Sequence, residues 1–387
     1  MSGLPIMMDP DGSGDATCEF VGVSLTTGAA SDSTSASVVL ADHTTFHLGG
    51  PARRLVVATT QKELVDAVLE ADGAGEPLLV LSGGSNLLIG DEGFAGTVVK
   101  IVTRGIEAEV SGCGGAIVTV QAGEPWDAFV ASTIEQEWSG IEALSGIPGA
   151  VGSTPVQNVG AYGSDVSQTV YRVRTLDRLT GEFRTFTAGE CAFSYRDSVF
   201  KSSRMPDGGP TGRFVVLEVT FQFTLGSLSQ PIRYAELARR LGVEVGQRCP
   251  SVQVREAVLE LRRGKGMVYD EADHDSWSAG SFFTNPLLDE QSAARLPEGA
   301  PRFPAPGGLV KSSAAWLIDQ AGFGKGWQVP SGPGTATLST RHTLALTNRG
   351  GASTEDVLDL ARAVRDGVQA RFGVVLVPEP VLVNAAI

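Results

Sequence analysis

The sequence contains little cysteine, little histidine and too little positive charge to balance its acids. Its 387 residues include four cysteines and four histidines, and 30 Lys and Arg against 44 Asp and Glu give a net charge of −14. The cysteines form no CxxC pair, and the histidines do not join them at zinc-ligand spacing, so we expect reduced thiols and no metal site. The acidic balance argues against general binding to nucleic acids or anionic membranes.

Long apolar runs are also missing. None approaches the roughly 18 residues that a membrane span needs, so we expect no membrane partner. The N-terminus has no basic region followed by an apolar core, which predicts no secretory signal and a cytoplasmic location. Residues 1–37 contain no Lys or Arg and are rich in small and acidic residues, so they are predicted to form a disordered, dispensable tail. The sequence leaves the oligomeric state open, with a monomer as the default.

The most distinctive stretch that is present is rich in glycine. It runs from Ile147 to Gly163 and reads IPGAVGSTPVQNVGAYG, with small hydroxyl and amide residues between the glycines. Glycine lets a large flat ligand lie directly on the backbone, and free N–H groups in such turns hold anions such as a pyrophosphate. A tight crossover inside a core explains the composition equally well.

A second stretch favours the ligand interpretation. Leu78–Leu88 reads LLVLSGGSNLL, an apolar strand that is broken by a turn of glycine and hydroxyl residues. Neither stretch fits the Rossmann fingerprint or the P-loop. Two cradles of another kind predict one large phosphorylated cofactor that spans two lobes.

The remaining patterns predict an α+β chain of two or three domains. Thr60 and Glu63 form a capping box at the start of a helix, and Ser353 with Asp356 opens the last helix. Strands are predicted at 54–58, 78–81, 97–102, 117–122, 170–176, 183–187 and 214–223, and further helices at 125–137, 251–264 and 312–321. A shift in composition at Thr224–Pro231 indicates a boundary between lobes.

Three single residues stand out by their surroundings. Arg196 lies in SYRDSVFK among aromatic and apolar neighbours, so it is expected to be partly buried and to face an anion or a carboxylate. Glu379 interrupts an apolar strand, which costs free energy unless the carboxylate is paired, so it is either a salt-bridge partner or a functional acid. Ser281 follows Gly280 in SWSAGSFFTN, where a hydroxyl can face a ligand. The cations after the helix at 251–264 suit either its dipole or a phosphate.

Six motifs in one order carry a family resemblance. GGSNLL, IPGAVGSTPVQNVGAYG, YRDSVFK, GSFFTNP, AAWLIDQAGFGKG and the terminal PEP span roughly residues 44–383. Together they resemble the UDP-N-acetylenolpyruvoylglucosamine reductases, flavoenzymes of peptidoglycan precursor synthesis. The resemblance implies a two-lobed FAD-binding domain of the vanillyl-alcohol-oxidase type (38–230), an α+β UDP-sugar-binding domain (231–373) and a C-terminal segment (374–387) that returns to the active site. It also implies NADPH as co-substrate and UDP-N-acetylglucosamine enolpyruvate as substrate.

The resemblance also implies roles for single residues. Ser281 resembles the family's proton donor, with Arg196 and Glu379 as its catalytic partners; Glu379 would either orient Arg196 or donate a hydrogen bond when protonated. The implied substrate contacts are Tyr195, Tyr234, Arg262, Lys265, Asn285 and Lys325. The implied FAD contacts are Gly83, Gly84, Ser85, Asn86, Leu87, Gly146, Pro148, Gly149, Gly152, Ser153, Thr154, Gln157, Asn158, Gly160, Ala161 and Tyr162. Tyr234 indicates the type I subgroup, whereas Phe303 stands where type I relatives can carry a tyrosine.

Two other functions share some of these features. An FAD oxidase of the same fold, acting on an alcohol with O₂, would need the cradles but neither Lys265 nor Lys325. A flavin-free module that binds UDP-sugars would leave both cradles without a role.

Overall fold

A computed structural model describes residues 21–25 and 38–387. The strands are β1 (Val21–Leu25), β2 (Val38–Val39), β3 (Pro51–Ala58), β4 (Leu78–Leu81), β5 (Leu87–Ile89), β6 (Phe94–Ile101), β7 (Ile106–Ser111), β8 (Gly115–Gln121), β9 (Trp138–Ser139), β10 (Gly160–Ala161), β11 (Ser164–Asp165), β12 (Val170–Asp177), β13 (Glu182–Thr187), β14 (Phe214–Leu225), β15 (Leu287–Leu288), β16 (Phe303–Pro304), β17 (Val310–Lys311), β18 (Ala336–Leu338), β19 (Leu346–Asn348) and β20 (Val381–Val383). The α-helices are α1 (Gln61–Gly73), α2 (Trp126–Glu135), α3 (Val199–Ser202), α4 (Ala235–Leu241), α5 (Ser251–Gly264), α6 (Glu290–Ala294), α7 (Ala314–Gln320) and α8 (Thr354–Phe372). The predicted α+β class is confirmed.

The first lobe is a small sheet covered by one helix. Its strand order is β2-β3-β6-β4, and β3, β6 and β4 run parallel. Helix α1 begins at the predicted capping box, in which Thr60 accepts from the Glu63 backbone and Glu63 accepts from Thr60 in return. Its buried face packs on the sheet through Leu64 and Val68. Strand β4 is the edge strand of this sheet, and the SGGSN turn begins directly after its last residue.

The second lobe is an antiparallel sheet of seven strands. Its order is β1-β7-β8-β14-β12-β13, with β9 paired to β14. Aromatic side chains of α2 pack on its face, where the ring centroids of Phe129 and Phe221 are 5.3 Å apart. The expectation that residues 1–37 are disordered is wrong for Val21–Leu25, which pairs with β7 as an edge strand. The other residues of that segment lie outside the described part of the chain.

The C-terminal half builds a separate core around α7 and α8. Leu317 and Val364 lie at its centre, together with residues from β18 and β19. Phe46 and Leu88 belong to the same core, so the first lobe is packed directly against this half. Helices α4 and α5 form a smaller cluster of their own.

The described residues contain no helix that is both long and apolar enough to cross a membrane. They also contain no group of three His, Cys, Asp or Glu side chains that could hold a metal ion. Cys191 and Cys249 are free and buried. Cys113 is disulfide-bonded, so the expectation of reduced thiols is wrong for this residue.

Candidate active site

A single cleft follows the two glycine-rich stretches. It consists of two open volumes, of about 970 and 950 Å³, that share the side of the cleft formed by Ser85, Asn86, Ser153 and Gln157. One volume extends between the two lobes, and the other opens toward the C-terminal half. The sequence prediction of a cradle across two lobes therefore matches the shape of the molecule.

Backbone rather than side chains forms the meeting point of the two cradles. A Cβ added to Gly83 would lie 2.5 Å from the Gly149 Cα, and one added to Gly84 would collide with the His43 carbonyl. Gly149 itself has a φ of +119°, a conformation that side chains disfavour. The approach of Gly83 to Gly149 brings the two loops into direct contact, and the backbone of Gly83 and Gly84 lines the cleft.

The volume between the lobes is mainly apolar. Leu79, Phe200 and Val216 line it, together with the backbone around Thr211. The buried Ser82 hydroxyl also faces this volume and has no hydrogen-bond partner among the described residues. A flat aromatic ring with a polar edge, joined to a phosphate chain at the glycine loops, fits these walls. The residues present therefore fit FAD.

Most of the predicted cofactor residues line this cleft. Those that do are Gly83, Gly84, Ser85, Asn86, Leu87, Pro148, Gly152, Ser153, Thr154, Gln157 and Gly160. Those that do not are Gly146, Gly149, Asn158, Ala161 and Tyr162. Asn158 has a structural role instead. Its side-chain N–H donates to the Ser194 carbonyl at 2.9 Å, and its side-chain carbonyl accepts from the Ser167 backbone N–H at 3.2 Å.

The three predicted catalytic residues meet at the volume that opens toward the C-terminal half. Ser281, Arg196 and Glu379 all line it. The Arg196 Nε lies 2.8 Å from the Glu379 Oε1, and the Arg196 Nη2 donates to the Gly160 carbonyl at 2.9 Å. Burial raises the pKa of Glu379, while the positive charges of Arg196 and Lys201 act in the opposite direction. Glu379 is therefore a buried carboxyl group beside Arg196 whose proton affinity is increased, and its two expected roles, orienting Arg196 or donating a hydrogen bond when protonated, stay predictions.

Backbone pairing brings Ser281 and Glu379 together. The Glu379 N–H donates to the carbonyl of Phe282, the residue after Ser281, at 2.8 Å. Two residues later, the Val381 N–H donates to the Asn86 carbonyl, and β20 continues parallel to β5. Backbone hydrogen bonds therefore join the C-terminal segment to the loop that carries Ser281 and to the SGGSN turn.

Arg262 supplies a buried positive charge to the same cleft. It lies in the last turn of α5 and is only 9% exposed. It lines the volume that opens toward the C-terminal half. Its Nη2 donates to the Met267 carbonyl at 2.7 Å, whereas its Nε has no hydrogen-bond partner among the described residues. Burial lowers the pKa of Arg262 to about 10, which leaves it charged at neutral pH. This cation is available to an anionic ligand.

A second group of predicted residues lies outside the cleft lining. The Lys265 Nζ contacts the Glu236 Oε2 at 2.6 Å and lies 5.6 Å from the centre of the Tyr162 ring. The Tyr162 and Tyr234 rings meet edge to face at 5.8 Å. These contacts form one cluster at the start of α4 and the end of α5.

His342 links this cluster to the remaining predicted lysine. Burial, with a further contribution from the charges of Lys265 and Lys325, lowers the pKa of His342 to about 4, while the charge of Glu236 acts in the opposite direction. The imidazole is therefore neutral at neutral pH. The charges of both predicted lysines act on this one side chain although they come from different turns of the chain.

Tyr195 and Asn285 are joined to each other rather than to the cluster. The Asn285 N–H donates to the Tyr195 hydroxyl at 3.3 Å, and the Lys311 Nζ lies 4.9 Å from the centre of the Tyr195 ring. The Asn285 side-chain carbonyl accepts from the Ala314 N–H at the start of α7. Part of the Asn285 side chain therefore has a structural role.

Several residues at the cleft carry no signal that sequence reasoning could have used. Thr45, Tyr269 and Ser278 line the volume that opens toward the C-terminal half, but they belong to none of the six motifs. The Thr45 hydroxyl donates to the Ser278 carbonyl at 2.7 Å, so this wall is fixed by a contact between distant segments. Lys201 is the last residue of the YRDSVFK motif, and the sequence predicts no role for it.

Comparison with known proteins agrees with this geometry. Residues 271–383 match the C-terminal domain of UDP-N-acetylenolpyruvoylglucosamine reductase, and residues 52–187 match an FAD binding domain. The chain is 60% identical to the UDP-N-acetylenolpyruvoylglucosamine reductase of Cutibacterium acnes, over 90% of both chains. It is 54% identical to the one from Streptomyces coelicolor, again over 90% of both. The crystal structure of the reductase (MurB) from Thermus caldophilus superimposes with a TM-score of 0.60 at 25% identity, covering 91% of this chain and 99% of that one.

Proposed function

Because this chain belongs to the UDP-N-acetylenolpyruvoylglucosamine reductase family, we propose that it reduces UDP-N-acetylglucosamine enolpyruvate to UDP-N-acetylmuramate. FAD is the hydride carrier and NADPH the reductant in this proposal. The reaction serves peptidoglycan precursor synthesis in the cytoplasm. The observation that carries the proposal is the convergence of Arg196, Glu379 and Ser281 on a cleft that continues along both glycine cradles.

The cofactor residues are those of the two glycine stretches. Ser85, Asn86, Ser153 and Gln157 lie on the side that both volumes share, so they are placed to hold the middle of an extended dinucleotide. When bound, FAD supplies a hydride to the terminal vinyl carbon of the substrate. Holding the substrate and supplying its proton fall to side chains of this chain.

Arg196 is suited to the carboxylate of the enolpyruvyl group. Negative charge builds on that carboxylate and its neighbouring carbon during reduction, and a planar guanidinium can grip it through two hydrogen bonds. The Arg196 Nη2 is engaged by Gly160 and the Nε faces Glu379, so the orientation of the guanidinium is set before substrate arrives. Glu379 thus acts as the orienting carboxylate.

Ser281 supplies the proton that completes the reaction. Its side chain lines the same volume as Arg196, and the adjacent carbon of the substrate becomes basic once charge has built on it. Serine is a weak acid in water, but the group it protonates resembles a carbanion. A positioned general acid of this kind contributes about 10²–10⁴-fold to a rate.

The UDP portion is assigned to the cationic residues around α5. Arg262 is a buried charge that lines the cleft, and we assign Lys265, Lys325 and Tyr234 to the adjoining cluster. A diphosphate in a protein of net charge −14 needs such fixed local cations. Asn285 and Tyr195 complete the proposed substrate contacts.

One experiment separates this function from its alternatives. Purified protein should show flavin absorbance and should oxidise NADPH only when the enolpyruvyl sugar is added, with one UDP-N-acetylmuramate formed per NADPH. Oxidation of an alcohol with consumption of O₂ and without NADPH would support an oxidase instead. A colourless protein that binds UDP-sugars and cannot be reconstituted with FAD would support a binding module.

A further inference from the structure

Lys201 is a half-buried cation that forms no ion pair with a carboxylate within the described ranges of the chain. Its Nζ donates instead to the Arg196 carbonyl at 2.7 Å and to the Gln157 side-chain carbonyl at 3.0 Å. Burial lowers the pKa of Lys201, and the nearby charges of Asp197 and Glu379 oppose this. A desolvated ammonium group that binds two neutral oxygens is costly, so its retention calls for a reason.

The first of these contacts holds a strained turn. Ser194 and Asp197 exchange backbone hydrogen bonds at 3.0 and 3.3 Å, and Arg196 adopts a φ of +56° between them. Left-handed backbone of this kind costs a non-glycine residue of the order of 1–3 kcal/mol and persists where the surroundings impose it. The ammonium of Lys201 fixes the Arg196 carbonyl, which sets the direction in which the Arg196 side chain leaves the turn.

The second contact reaches the cofactor side of the cleft. Gln157 lines both volumes and lies in the stretch assigned to FAD. Phe200, the neighbour of Lys201 in α3, lines the apolar volume between the lobes. Lys201 therefore connects the loop that holds the cofactor to the backbone of the residue that binds the substrate carboxylate.

We propose that Lys201 is a positioning residue that keeps the Arg196 guanidinium in register with the flavin-binding loop during the reduction of the substrate. This inference rests on the proposed function. Lys201 lines neither volume, so it acts through Arg196 and Gln157 and not by touching substrate. A displacement of about 1 Å in a group that orients a reaction can cost about 100-fold in rate.

Rapid mixing of the FAD-loaded protein separates the two half-reactions and tests this role. In Lys201→Met, reduction of the flavin by NADPH should stay within about three-fold of wild type, whereas reoxidation by the enolpyruvyl sugar should slow by about 10- to 100-fold. Lys201→Arg keeps a charged donor and should recover most of the loss. The matched control is Lys62→Met, which removes an exposed lysine of α1 and should change neither rate.

The result also distinguishes positioning from general stability. Equal slowing of both half-reactions, or no rescue by Lys201→Arg, would show that Lys201 only supports the fold. An unchanged rate of reoxidation in Lys201→Met overturns the proposal directly. If Lys201→Met does not fold, Lys201→Gln, which keeps a neutral donor, is measured in its place with the same expectations. If wild-type protein is itself not reoxidised by the sugar, the proposed function fails first.

Discussion

Two ion pairs, one that lines the cleft and one outside its lining, are built in different ways. The Arg196–Glu379 pair has side chains that are 24% and 16% exposed, and both partners are held by further contacts of the backbone. The Lys265–Glu236 pair is more open, at 29% and 35%, and joins the ends of two helices through flexible side chains. The Arg196–Glu379 pair is arranged before any ligand binds. In the Lys265–Glu236 pair, a ligand anion can take the place of the Glu236 carboxylate.

This difference matches the tasks that we propose for the two pairs. Charge that develops during a reaction is best stabilised by groups that do not have to move. A diphosphate that must enter and leave is held by cations whose resting partner is easily displaced, since half-exposed ion pairs contribute only about 0–1 kcal/mol. Four predictions test the comparison, in order of decreasing effect.

Ser281 lies beside the rigid pair, so its removal should give the largest effect. Ser281→Ala should slow flavin reoxidation by the enolpyruvyl sugar by about 10²–10⁴-fold and leave reduction by NADPH unchanged. Ser281→Cys should retain more activity, because a thiol can also give up a proton. Stopped-flow absorbance resolves the two steps, with the exposed Ser227→Ala as control. Slowing of both steps to the same degree would instead assign Ser281 to the shape of the flavin site.

Glu379→Gln tests the rigid pair itself. Glutamine has the same shape but no negative charge, so it cannot form the ion pair with Arg196; interactions with charged groups are worth about 1.5–3 kcal/mol, so kcat should fall by about 10- to 100-fold. Burial raises the pKa of Glu379 above its ordinary 4.5, and the ionised form orients Arg196. The wild-type kcat should therefore fall as pH drops through that raised pKa, and this limb should be absent in Glu379→Gln. A wild-type profile that is flat down to pH 4.5 would exclude the ionised form as the active one.

The open pair is tested by removing each partner in turn. Lys265→Ala should raise the KM for the UDP-sugar by about ten-fold or more, because a charge-assisted contact to the diphosphate is lost. Glu236→Gln should lower this KM by about two- to five-fold, since the competing carboxylate is gone. Steady-state kinetics at two salt concentrations measures both. A rise in KM in both variants would mean that Glu236 holds Lys265 in place for substrate and does not compete with it.

The N-terminal segment should have the smallest effect, because it contains none of the proposed site residues. Deleting residues 1–37 removes the edge strand at Val21–Leu25, while a deletion of residues 1–20 leaves it in place. Turnover should be unchanged in both variants. The longer deletion should lower Tm by about 1–4 °C relative to the shorter one, equivalent to roughly 1 kcal/mol or less. A loss of turnover in either variant would show that this segment contributes to the site.

Sequence reasoning was strongest where a short stretch determines its own structure. The capping boxes at Thr60 and Ser353 begin α1 and α8 as predicted, because caps depend on residues three positions apart. The bounds of α5 and β4 were also predicted correctly. The glycine cradles belong to the same class, since glycine alone tolerates the close approach of Gly83 to Gly149.

The sequence by itself therefore determined the local elements, the glycine cradles and, through six ordered motifs, the family, and it singled out Arg196, Ser281 and Glu379 as candidate catalytic residues. Only the tertiary structure decided how these residues are held. The backbone bond from Glu379 to Phe282 and the contact of Lys201 with Gln157 join segments whose spacing in the chain carries no information about their distance in space. Such contacts depend on how the separate hydrophobic cores pack against one another, which no local pattern of residues encodes.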